Sequence, residues 1–217
     1  MLSSAHKRFI KEAILELPMI KNKKKEYIDR MRSEYNYDNP TPSIICSTCI
    51  GGMIYNNLGL KFMSPTINLW ITPSDFTKIC SDMEKYINTE LCFIDDDEYD
   101  FPVGKLDDVI IYFQHYHTKK EAYDKWEERK KRIDFDNLYI ITDDKDLTAK
   151  EIETLINSRY KRLVIFTNKK NKEEPFFSYK CYAWRRKVGK YSVRSLTGFA
   201  PFEKEFNYAL WLSGGNI

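Results

Sequence analysis

The chain has 217 residues, with 35 Lys and Arg against 32 Asp and Glu, a net charge of +3 and 42% hydrophobic residues. That composition supports one sizeable core, and the mixed charges exclude the basic footprint of a nucleic-acid binder. No apolar run reaches the ~20 residues of a membrane span, the N-terminus lacks the apolar core of a signal peptide, and five cysteines in such a chain point to a reduced, cytoplasmic protein.

Ser3 or Ser4 is placed to cap a first helix with Phe9, Ile10, Ala13, Ile14 and Leu17 on one face. Pro18 ends or kinks it. A second helix is expected from Asn22 to about Glu34, so residues 1–38 read as an N-terminal helical hairpin. Lys21, Lys23, Lys24 and Lys25 give the hairpin a basic face. That face is either a solvated surface or a peripheral contact with the anionic inner face of a membrane. Residues 35–42, rich in Asn, Asp and Pro, form a linker.

Residues 43–217 then form an α/β domain. Ile44, Ile45 and Cys46 are a short apolar run behind Pro40 and Pro42, which reads as a buried strand. Ser47 and Thr48 break the run, Cys49 follows, and Gly51, Gly52, Met53, Ile54, Asn57 and Leu58 continue at near-helical spacing. The pattern is strand, sharp turn, helix, with a thiol at the turn. Further strands are expected at 68–71, 91–94, 109–113, 138–141 and 163–166. Thr72 and Pro73 open a helix with Phe76, Ile79, Cys80, Met83 and Ile87 on one face. Thr118 with Glu121, and Thr148 with Glu151, are capping boxes. Residues 169–174 are a polar surface loop, and the aromatic segment 176–217 adds antiparallel strands or packs over the site. Apolar strands spaced by capped helices imply a mainly parallel central sheet flanked by helices, holding the strands at 44–46, 109–113, 138–141 and 163–166.

Ligands of such sheets bind at the carboxyl ends of the strands. Cys49 follows the first strand. Gln114, His115, Tyr116 and His117 follow 109–113. Thr142, Asp143, Asp144 and Asp146 follow 138–141, and Thr167, Asn168 and Lys169 follow 163–166. A shared rim would hold the inventory of a Cys–His–acid hydrolase or acyltransferase. The start of a helix favours the thiolate through its unpaired N–H groups and dipole, and paired glycines admit an oxyanion close to the backbone. Cys49 equally reads as a small core residue at a tight turn, and the histidines as exposed loop residues. Ala122, Trp126, Arg129 and Ile133 share one helical stripe, so Arg129 needs a partner on an apolar face. Asp107, Asp108 or an anionic ligand would serve, and Arg132 lies nearly one turn on. Cys46-x-x-Cys49 also raises a redox pair or a zinc site with His115 and His117. The spacing matches no common zinc finger, and no metal is expected.

Several ordered motifs carry a family resemblance. They are Ser47-Thr48-Cys49-Ile50-Gly51-Gly52, Leu58-Gly59-Leu60, Ser64-Pro65-Thr66-Ile67-Asn68-Leu69 and Pro102-Val103-Gly104, then Phe113-Gln114-His115-Tyr116, Trp126-Glu127-Glu128-Arg129, Arg132-Ile133 and Asn137-Leu138. Over about half the chain this resembles a bacterial family of exopolysaccharide biosynthesis proteins, also known as the domain of unknown function DUF1919. The family more often has Asn and Trp where this chain has Thr48 and Ile50. The resemblance implies a part in capsule or surface-polysaccharide assembly. The Cys-Ile-Gly-Gly turn is also similar to capsule enzymes built on a cysteine nucleophile and a coenzyme A thioester, an analogy of motif alone. The expected protein is a cysteine-dependent acyltransferase with acyl-coenzyme A as donor. Its acceptor is a glycan or its nucleotide- or lipid-linked precursor. In this reading Cys49 is the nucleophile, His115 its base, Asp143 or Asp144 the group orienting the histidine, and Gly51 and Gly52 the oxyanion donors. Arg129 or Arg132 meets a phosphate or carboxylate, and Ser47, Asn68, Tyr116, His117 and Trp126 are further site candidates. The alternatives are a glycosyl- or phosphosugar transferase, with a divalent metal at Asp143, Asp144 and Asp146 and a structural Cys49, or a noncatalytic assembly subunit.

Overall fold

The apolar runs build two sheets rather than one. The computed structural model describes residues 16–144, 146–160, 162–167, 176–178, 203 and 206–215. In chain order the elements are α1 (Pro18–Glu34), β1 (Ser43–Cys46), α2 (Ile50–Leu58), β2 (Trp70–Ile71), α3 (Pro73–Ser81), α4 (Met83–Asn88), β3 (Cys92–Ile94), β4 (Val103–Leu106), β5 (Val109–Tyr112), α5 (Lys119–Lys130), β6 (Leu138–Asp143), α6 (Ala149–Ile156), β7 (Leu163–Thr167), β8 (Phe176–Ser178) and α7 (Tyr208–Leu212).

The first sheet has the order β1-β6-β7-β8 and is parallel throughout, with Ile45 opposite Ile140 and Ile141 opposite Val164. Successive strand residues point to opposite faces, so its strands feed two cores. Ile44, Cys46, Tyr139, Ile141, Val164 and Phe166 pack with α1, α2 and α7. Ile45, Leu138, Ile140, Leu163 and Ile165 face the second core, with α3, α4, α5, α6 and the other sheet. The α/β class expected from the sequence is the class observed, with a parallel sheet flanked by helices.

The second sheet is antiparallel, in the order β2-β5-β4-β3. The strand expected at 109–113 belongs here and not beside β1, which corrects the sequence reading. A two-residue loop can join only antiparallel neighbours, and Asp107 and Asp108 form such a loop between β4 and β5. Asp107 takes φ +55°, a left-handed conformation that Asp tolerates. Gly104 hid β4 from the sequence pattern. A methyl group there would lie 2.7 Å from the Leu91 side chain and 2.8 Å from the Phe113 ring.

Three further differences are local. The helix expected through Ile87 breaks at Asp82, whose non-helical backbone ends α3 and whose carboxylate caps α4 through the Lys85 N–H. Pro18 opens α1 at its first turn, four residues before the start expected at Asn22. Phe176–Ser178 pairs in parallel with β7, not antiparallel. The first arm of the expected hairpin and the loop at 169–174 lie outside the described residues, as does most of 179–217. Helix α1 joins the first core through Tyr27 and Met31, and Arg32 donates to the Asn57 carbonyl.

One passage fixes the geometry between the cores. The Ile67 side chain is buried in the first and Leu69 in the second. Asn68 between them takes φ +61°, the left-handed bend that lets the apolar residues on either side of it part.

Candidate active site

β1 ends at Cys46 and the chain turns at once into α2, with Cys49 as its N-cap residue. The Cys49 side chain makes no capping bond, and its carbonyl accepts from the Met53 N–H at 3.1 Å. The thiol is half-buried. Its partner arrives from the other sheet. β5 leaves its ladder at Tyr112, and a turn closed by the Tyr116 N–H on the Phe113 carbonyl, 2.9 Å, carries His115 outward. His115 Nε2 lies 3.5 Å from Cys49 Sγ. The expected thiol–imidazole pair is thus assembled, although its strands do not share a sheet. Because β2 and β5 run antiparallel, with Trp70 opposite Tyr112, residue 68 before one and residue 115 after the other leave the same end of that sheet.

The two cysteines of the Cys-x-x-Cys stretch differ sharply. Cys46 is fully buried, and burial pushes its thiol up. The Thr48 hydroxyl and the Thr48 and Gly51 N–H groups pull it back, and the nearby Asp143 charge raises it again. The Gly51 backbone thus faces the Cys46 side chain, and the Ile50 N–H donates to the Thr48 hydroxyl at 3.4 Å. The Gly52 N–H belongs to the first turn of α2, whose N–H groups have no carbonyl within the helix to donate to. Both glycines are close-packing positions. A methyl at Gly51 would sit 2.9 Å from Ile67 Cδ1 and 3.1 Å from Cys46 Cβ, and one at Gly52 would overlap the Asn68 carboxamide, 2.9 Å from its carbon.

Arg129 is half-buried at the end of α5, as the helical stripe requires. Its partners are not carboxylates. It donates to the Tyr116 hydroxyl at 2.9 Å and the Ile67 carbonyl at 3.3 Å, and its guanidinium lies 5.0 Å from the Phe62 ring centre. Burial pushes the Tyr116 hydroxyl up while Arg129 draws it down. Arg129 thus ties the His115 turn to the loop that carries Asn68. Arg132 donates to the Phe62 carbonyl at 3.0 Å and pairs with Glu128. Phe62 and the two carbonyls escaped the sequence reading because no side-chain motif marks a backbone acceptor.

The other expected site residues lie further out or deeper. Ser47 is buried and shares a 3.0 Å hydrogen bond with Thr142, stitching the ends of β1 and β6. Asp143 and Asp144 are buried at the carboxyl end of β6. Among the described residues, the hydrogen bond of the His115 side chain goes to Cys49, so neither aspartate holds the imidazole. Trp126 is core, against Phe113. His117 is exposed and lines an open cleft of about 360 Å³ with Lys119, Tyr99, Phe101 and the carboxylates of residues 95–97 and 100, away from Cys49. Among the described residues, no three His, Cys, Asp or Glu side chains gather into a metal-binding group, and no helix is long and apolar enough to cross a membrane.

Chemically, the pair can pass a proton from sulfur to imidazole and present a thiolate at the start of a nine-residue helix. A Haemophilus influenzae protein, itself uncharacterised, is 35% identical over 149 residues, covering 68% of this chain and 72% of that one. Residues 19–213, which span α1 to α7 and with them Cys49, His115, Asn68 and Arg129, match the domain of unknown function DUF1919, and the chain belongs to that family.

Proposed function

We propose that this chain is a cysteine-dependent acyltransferase that carries the acyl group as a thioester on Cys49. The observation behind the reading is the 3.5 Å contact between Cys49 Sγ and His115 Nε2 at the start of α2. The Cys49 thiolate attacks the donor carbonyl, and a carbon–sulfur bond forms as the donor thiolate leaves with the proton held by His115. An acceptor hydroxyl or amine then attacks the thioester. His115 takes its proton, and Cys49 leaves as the thiolate. The donor is an acyl-coenzyme A. The acceptor is a surface glycan or its nucleotide- or lipid-linked precursor, a choice that rests on the family resemblance. Leu17 and Met19 are exposed beside exposed Lys21, Lys23 and Lys25 on α1, which supports work at an anionic membrane surface.

The test is to incubate the protein with acetyl-coenzyme A and map acylated peptides by mass spectrometry, at low pH to preserve the thioester. Acyl label on Cys49 that is lost in Cys49→Ser and His115→Ala is expected. Label elsewhere, or none with a range of acyl-coenzyme A donors, overturns the proposal.

A further inference from the structure

An acyl-transfer site needs donors for the negative charge that develops on the carbonyl oxygen. The sequence pointed to Gly51 and Gly52 for this, but Gly51 packs against the buried Cys46 side chain, with its methyl position 3.1 Å from Cys46 Cβ. The Gly52 N–H is left, one helical turn from Cys49, about 5–6 Å between Cβ positions at that spacing. Lying against Gly52 is the carboxamide of Asn68. Its left-handed backbone is accounted for by the parting of Ile67 and Leu69, and Gly, Asn or Asp would all satisfy it. The carboxamide itself is not accounted for. It is half-buried and makes no hydrogen bond among the described residues. The carboxamide carbon and Nδ2 lie 2.9 Å and 3.2 Å from the Gly52 methyl position, so the amide group sits over the first turn of α2, the turn that Cys49 caps. The loop is also clamped from behind, since Arg129 holds the carbonyl of Ile67, the residue before it.

We infer that Asn68 Nδ2, together with the Gly52 N–H, forms the oxyanion site for acyl groups attached to Cys49. The inference rests on the acyl-transfer reading and supplies the piece that reading lacks. When the Cys49 thiolate adds to an ester or thioester, the carbonyl π pair moves to oxygen and the two donors receive it. When the tetrahedral adduct collapses, the pair returns, the carbonyl re-forms and the leaving group departs with its own bonding pair.

Two reagents separate this role from a merely structural one. p-Nitrophenyl acetate acylates a thiolate through a tetrahedral oxyanion. Iodoacetamide alkylates it at a saturated carbon and forms none. Asn68→Gly keeps the left-handed bend and removes the carboxamide. Gly52→Ala keeps Asn68 but pushes the carboxamide aside. The expected result is that acylation of Cys49 falls about 100-fold or more in Asn68→Gly and falls clearly in Gly52→Ala, while the alkylation rate holds in both. Unchanged acylation in both variants overturns the inference. So does an equal loss of acylation and alkylation, which would mean that Asn68 only positions the thiol. Failure of the acyl-transfer reading looks different: wild-type Cys49 would then react with neither reagent faster than an unfolded thiol.

Discussion

Gly51 and Gly52 are adjacent in the first turn of α2, yet their replacement by alanine should have opposite consequences. Helix propensity favours alanine at either position by at most about 1 kcal/mol. At Gly51 the new methyl meets Ile67 Cδ1 at 2.9 Å, Cys46 Cβ at 3.1 Å and Ile44 Cγ2 at 3.2 Å. Two of those atoms belong to β1, which is held in the parallel sheet and cannot recede. Overpacking of this kind costs about 1–3 kcal/mol. At Gly52 the methyl meets only the end of the Asn68 side chain, which can swing away. Gly51→Ala should therefore be less stable than Gly52→Ala by about 2 kcal/mol. In a chain of this size, that is a gap of about 4–8 °C in melting temperature. Thermal unfolding followed by circular dichroism, with urea midpoints as a check, reads the difference. If Gly51→Ala melts at or above Gly52→Ala, helix α2 does not pack on β1 as described.

The Cys49–His115 contact makes its own prediction. Cys49 should alkylate well below the ordinary thiol pKa of about 8.5, Cys46 should resist because burial raises its thiol, and His115→Ala should return Cys49 to ordinary reactivity; equal labelling of both cysteines in peptide maps would sink the pair. Arg129→Lys cannot keep the bonds to both Tyr116 and Ile67, and should lower stability by about 0.5–1.5 kcal/mol in urea titrations. A neutral outcome there would mean that the clamp is dispensable. Glu151 is held below the usual carboxylate range by the Thr148 N–H and hydroxyl of its capping box. A folded pKa below the unfolded one stabilises fully above about pH 4.3 and is lost as pH falls through the folded value. Glu151→Gln should accordingly flatten the acid limb of the stability profile, and an unchanged limb would exclude that contribution.

Local chemistry was legible in the sequence where a few neighbouring residues decide the outcome. Thr72, Thr118 and Thr148 each cap the helix expected of them. The strands at β1, β6 and β7 follow their apolar runs. The Cys49–His115 contact was also anticipated, but through the wrong sheet. Val109–Tyr112 is apolar enough for a buried parallel strand, and what assigns it elsewhere is a partner, β4, interrupted by Gly104 and exposed Lys105. Position along the chain could show that His115 leaves a strand end. Only the tertiary packing of two sheets shows that this end faces α2. Arg129 is the converse case. The stripe placed it on the inner face, but its partners are a ring, a hydroxyl and a carbonyl rather than an acid.

The parting of Ile67 and Leu69 has a consequence for how the site fails. Cys49 rides on a helix rooted in one core, and His115 on a turn rooted in the other. The contact between them therefore depends on the two halves remaining docked. Regions of a protein open in separate cooperative units, often at lower cost than global unfolding. Were the antiparallel layer to detach, the thiol would lose its imidazole while α2, still packed on β1, kept its shape. Chemical competence at Cys49 should then vanish at a lower urea concentration than the helical signal.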